Sequence, residues 1–62
     1  MTKITLEEQL RLENEIKAKG RWKAFKYEIG IIHNLMRQGL LDESQYLHHH
    51  SEFTLLFAGA AV

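Results

Sequence analysis

The chain contains no cysteine and no proline. Without cysteine there is no disulfide to brace the fold and no thiolate nucleophile, and a reducing compartment is the natural setting. Without proline, the ending of helices falls to glycine, and Gly20 and Gly39 are placed for it. Long apolar runs are missing too. The longest near the C-terminus, Leu55 to Ala58, falls far short of the roughly 20 residues needed to span a bilayer. Met1 to Glu8 lack the apolar centre of a secretory signal. Net charge is zero, eight basic residues against eight acidic, which argues against a general nucleic-acid binder. There is no glycine-rich phosphate loop and no serine set in a catalytic motif. Glu28 and His33 lie five apart and share no helical face, while Ser44 and Ser51 suit capping or surface positions. The expectation is a single domain over residues 1–62: cytoplasmic, non-enzymatic, and without cofactor or metal.

What the chain does have is a seam. Trp22, Phe25, Ile29, Ile32 and Met36 recur at spacings of 3, 4, 3 and 4, the stripe a helix uses to pack along another helix. Ala24, Ile31 and Leu35 add a second apolar strip beside it. A core built from 62 residues supplies only ~3–5 kcal/mol, and chains of this size commonly recruit a disulfide, a metal or a second subunit. Both strips on one helix exceed what so short a chain is expected to cover. The seam is therefore predicted to be the contact of a homodimer or higher oligomer.

Local signals divide the chain into three helices. Thr5 and Glu8 form a predicted capping box, the Thr5 hydroxyl accepting from the Glu8 amide and the Glu8 carboxylate from the Thr5 amide. Leu6, Leu10, Leu12 and Ile16 then give a broad apolar face. Gly20 is placed to end this helix, with Lys17 and Lys19 complementing its dipole. The second helix is predicted over 21–38, with Gly39 as its stop. Asp42 and Gln45 make a second box, and Tyr46, His50 (or His49), Phe53 and Phe57 recur at helical spacing to about Phe57. The alternation of Phe53, Leu55 and Phe57 is the competing sign of a short strand. The expected architecture is all-α: a helical hairpin plus a C-terminal helix.

Charge is unevenly spread along this framework. Between Arg21 and Leu41, Arg21, Lys23, Lys26 and Arg37 face only Glu28; from Asp42 onward, Asp42, Glu43 and Glu52 face no Lys or Arg. Opposite signs favour packing of the middle segment on the last, within or between chains.

The stretch from Leu35 to Tyr46 runs Leu, three residues, Gly39, the apolar pair Leu40-Leu41, the cap Asp42, then Gln45 before Tyr46. This pattern resembles the SHOCT-like short helical domains of bacterial mobile elements. The resemblance implies a small helical hairpin devoted to oligomerisation or interaction, in a phage or mobile-element setting. Here His48-His49-His50 stands where that pattern continues with charged residues.

Three sets of residues compete for a functional role. The histidine run, with Glu52 or His33, suggests a metal, yet consecutive side chains on a helix diverge by about 100°. His48 and Glu52 supply two ligands where a closed zinc site takes four. A solvated stretch with one histidine turned inward, sensitive to pH, is the favoured reading. Lys19, Lys23, Lys26 and Arg37, interleaved with Trp22, Phe25 and Tyr27, offer a basic face for nucleic acid. The last segment offers Tyr46, Phe53, Leu56 and Phe57 as large anchors for a partner. The small apolar ending Ala60-Ala61-Val62 is similar to bacterial degradation signals. With the small size and what the resemblance implies, the expectation is a non-catalytic interaction module that binds and modulates (inhibits) a larger host protein, such as a defence or transcription component. The alternative is a small nucleic-acid-binding regulator.

Overall fold

A computed structural model describes residues 4–59, and the chain folds there as three helices: α1 (Leu6–Ala18), α2 (Trp22–Arg37) and α3 (Glu43–Ala58). The Ala60–Val62 ending lies outside the described residues. None of the described helices is long and apolar enough to cross a membrane.

The boundaries follow from local chemistry. Thr5 Oγ1 accepts from the Glu8 amide at 3.2 Å and starts α1. The return half of the predicted box is diverted: the Glu8 carboxylate lies 3.4 Å from Arg11 Nη2, its neighbour one turn along the helix. At the start of α3 both halves of the box form, Asp42 Oδ1 accepting from the Gln45 amide at 2.8 Å and Gln45 Oε1 accepting from the Asp42 amide at 3.0 Å. The alternation of Phe53, Leu55 and Phe57 is overridden, and this segment is helical to Ala58.

Both hairpin turns are of one kind. The Arg21 amide donates to Ile16 O and the Gly20 amide to Lys17 O, as the Leu40 and Gly39 amides do to Leu35 O and Met36 O. These paired bonds satisfy the last carbonyls of a helix only if the residue after the cap turns left-handed. Gly20 (φ 72°) and Gly39 (φ 80°) do so at no steric cost. A Cβ on Gly39 would meet nothing within 4 Å, so Gly39→Ala isolates the backbone penalty and should cost about 1 kcal/mol. Gly30 also faces open space, but inside α2. Gly30→Ala should therefore stabilise the fold by about 0.5–1 kcal/mol. Thermal unfolding of the two variants should move in opposite directions; a common direction would contradict this account of the turns.

Phe25 packs against Phe57 (5.8 Å between ring centres) and His33 against Tyr46 (6.0 Å), which sets α2 and α3 antiparallel. Gln9 reaches Thr54 and Lys19 reaches Ala58, so α1 runs in the same sense as α3. α3 is the central element, packing closely on both neighbours, while α1 and α2 meet least. The core is Leu12 and Ile16 from α1, Phe25, Ile29 and Ile32 from α2, and Ala58 from α3. Trp22, Leu41, Tyr46, Phe53, Leu55 and Phe57 pack around it, half-buried.

Three expectations about burial change. Within one chain, the centre of the seam (Phe25, Ile29, Ile32) is already covered by the chain's own α1 and α3. Trp22 and Met36, at its ends, are half-buried. The face of α1 is narrower than its four apolar residues suggest. Leu12 and Ile16 are buried, whereas Leu6 and Leu10 stay exposed. The second strip of α2 is likewise largely outside: Ala24 and Ile31 are exposed and Leu35 half-buried.

Thr54 is the one buried polar side chain among the described residues. Its hydroxyl donates to His50 O at 2.8 Å and accepts from Gln9 Nε2 at 3.1 Å. Both hydroxyl functions are thereby used, so its burial leaves no uncompensated group.

Candidate functional site

The residues singled out as candidates fall in separate places. In the histidine run, the helix turns one ring inward. His50 is half-buried where the three helices meet, 6.1 Å from the Phe25 ring and 5.8 Å from Tyr46. His48 and His49 face outward and share one carboxylate: Glu52 lies 3.4 Å from His48 Nε2 and 3.6 Å from His49 Nδ1. These are ion-pair separations along one face of α3. Among the described residues no three His, Cys, Asp or Glu side chains gather in a way that holds a metal. His33 packs against Tyr46, their rings tilted by 59°, rather than joining the run.

Burial holds the His50 imidazole below its usual 6.5; Glu13 of α1 opposes that shift and Lys26 of α2 adds to it. The consequence for stability has a definite sign. Between the lowered value and 6.5 the unfolded chain takes up a proton that the folded chain refuses. Stability at neutral pH should therefore decline as pH falls through 6.5, then level off once folded His50 is itself protonated. Urea denaturation at a series of pH values should show this decline, and His50→Gln should remove the part belonging to this ring. An unchanged slope in that variant would contradict the assignment.

The basic face divides. Lys19 leaves α1's own dipole and donates from Nζ to Ala58 O, while Arg21 Nη1 reaches Phe57 O at 3.4 Å. Both thus serve the carbonyl end of α3, whose last turn has no basic residue of its own. Arg21 of the basic middle segment thus meets the last segment through a helix carbonyl. Lys26 Nζ sits 5.5 Å from the centre of the Trp22 ring, and Lys17 Nζ 4.5 Å from it. Lys23 and Arg37 are exposed. Lys17 was not among the sequence candidates, because only the hairpin turn brings it back to Trp22.

The candidate anchors of the last helix also part. Tyr46, Phe53 and Phe57 pack against the core, half-buried, with Phe53 and Phe57 edge-to-face at 6.4 Å. Leu56, about a quarter-turn round the helix from them, is 59% exposed. Other large apolar side chains share that exposure: Leu6, Leu10, Tyr27, Ile31, Leu40 and Leu47. A domain with six buried apolar residues thus presents seven large ones to solvent among the described residues.

No family model, no curated protein and no solved structure matches this chain.

Proposed function

We propose that this chain is a non-catalytic protein–protein interaction module that self-associates and inhibits a larger host protein, acting in the cytoplasm. The observation that carries this reading is the surplus of exposed apolar side chains over the small core. Such residues gain free energy when a partner removes them from water, at roughly 25 cal/mol per Å2 of apolar surface buried. With the centre of the seam filled by the chain itself, the self-contact uses exposed positions such as Ile31 and Leu56. The phage or mobile-element setting follows from the resemblance of Leu35 to Tyr46 to the SHOCT-like domains. The α2–Gly39–α3 turn with its Asp42–Gln45 box supports it locally. The nucleic-acid reading gains less support, since Lys19 of its basic set is engaged at the end of α3.

Light scattering on purified protein at roughly tens of micromolar tests the self-association. A dimer or larger species is expected, with Ile31→Asp and Leu56→Asp each shifting it toward monomer while helix content is kept. A folded wild-type monomer would refute the self-association. The inhibitory reading is tested by co-purification from the native host: a stoichiometric protein complex that resists nuclease is expected. Retention that collapses with salt or nuclease would replace it with the nucleic-acid reading.

A further inference from the structure

The outer side of α2 repeats the spacing of its inner side. Ala24, Tyr27, Ile31 and Asn34, with Gln38 at the cap, follow at intervals of 3, 4, 3 and 4 residues. All five are exposed, and their mean direction lies about 160° round the helix from the buried seam. The row along one flank is Lys23, Gly30 and Arg37, all exposed; the row along the other is Glu28 and Leu35, both half-buried. Glu28 is the one acid between Arg21 and Leu41. Neither it nor Lys23 has an opposite charge three or four residues away, where helical neighbours meet. Among the described residues neither takes part in an ion pair.

A stripe of this spacing is one along which two helices can pair, and the charges on its flanks select their direction. Two copies of α2 laid parallel and in register bring Lys23 of each copy beside Glu28 of the other. The two charges that lack a partner within the chain thus find one across the seam, twice over by symmetry. The same alignment sets Ile31 against Ile31, and Asn34 against Asn34, where each amide can donate to the other's carbonyl. Laid antiparallel with full overlap, Lys23 meets Arg37 and Glu28 meets Glu28, both repulsive. Asn34 then faces Ala24 without a polar partner. The charges fix direction, while affinity comes from removing Tyr27 and Ile31 from water. We infer that α2 of one copy pairs in parallel with α2 of a second copy through this outer seam. The inference rests on the self-association proposed above and gives it an orientation.

The chain has no cysteine, so an introduced thiol is the only one present. Ala24→Cys is oxidised in the full chain at roughly tens of micromolar, beside Glu7→Cys, an exposed position on α1, as the measure of chance collision. Parallel pairing places the two thiols side by side; antiparallel pairing holds them about 15 Å apart, beyond the reach of a disulfide. A linked Ala24→Cys dimer, formed at least about tenfold faster than the Glu7→Cys one, is expected. Lys23→Glu and Glu28→Lys should each weaken the dimer by about threefold or more, and the two together should restore it. A dimer that Leu56→Asp dissociates, but whose Ala24→Cys form links no faster than Glu7→Cys, leaves self-association standing and overturns this alignment. So does linkage found only between Ala24→Cys and Asn34→Cys chains, or a double charge swap no tighter than the single changes. A folded wild-type monomer at the same concentration overturns both the alignment and the self-association beneath it.

Discussion

Phe25→Ala should leave the chain unfolded at 25 °C. Phe25 is 1% exposed and its ring meets Trp22, His50 and Phe57, so it joins the α2 face to α3 at the centre of the core. Deleting a buried phenyl ring costs ~3–5 kcal/mol, through lost transfer free energy and the cavity left behind. A single core of this size supplies about the same amount in total, so nothing remains to hold the folded state. Far-UV circular dichroism should show the helical signal lost and no cooperative urea transition. Phe25→Leu, which keeps most of the volume, should cost about 1.5 kcal/mol or less and remain folded. An alanine variant with a near-wild-type urea midpoint would mean that Phe25 does not organise this core.

Ile29→Asp and Ile31→Asp should part company completely, although the two positions are two residues apart on α2. Ile29 is 8% exposed within the core, whereas Ile31 is 40% exposed on the other side of the helix. A carboxylate at 29 would have to leave water without a partner, a cost of several kcal/mol that exceeds the stability available. Unfolding is therefore expected at every protein concentration, since the cost falls within one chain. At 31 the carboxylate stays solvated, and the change should lie within about 0.5 kcal/mol for the isolated fold. Circular dichroism on both variants, at high and low concentration, is the measurement. A folded Ile29→Asp, or an Ile31→Asp unfolded even when dilute, would reverse the assignment of inner and outer faces.

The contrast between these neighbours shows what local pattern reveals and what it leaves open. Helix ends were legible because their chemistry spans three or four residues. Thr5, Gly20, Gly39 and the Asp42–Gln45 pair each act where their position implies. The 3-4 spacing of Phe25, Ile29 and Ile32 marks an inward face correctly. Periodicity names a face but not its occupant, and the occupants here are α1 and α3 of the same chain. The extent of α1's buried face was equally hidden, since α1 meets α2 only slightly and Leu6 and Leu10 remain outside.

In the last helix, the 4-3-4 spacing of Tyr46, His50, Phe53 and Phe57 was enough to single out one inward histidine, though not to separate His50 from His49 without coordinates. Thr54 escaped notice for a different reason. Its burial depends on Gln9, 45 residues away, and no local rule connects such positions. The Lys17–Trp22–Lys26 grouping is similarly a product of the turn at Gly20, which brings two helices together at one ring.

The capping of α3 by Lys19 and Arg21 bears on the order in which the chain can be built. The last carbonyls of α3 are served by side chains 39 and 36 positions earlier in the chain. While α3 is still within the ribosome, α1 and α2 have been made but lack the element that packs closely against both. The three-helix core is therefore completed only once α3 itself has emerged, after α1 and α2. Until then its apolar faces are open to whatever else is nearby in the cell.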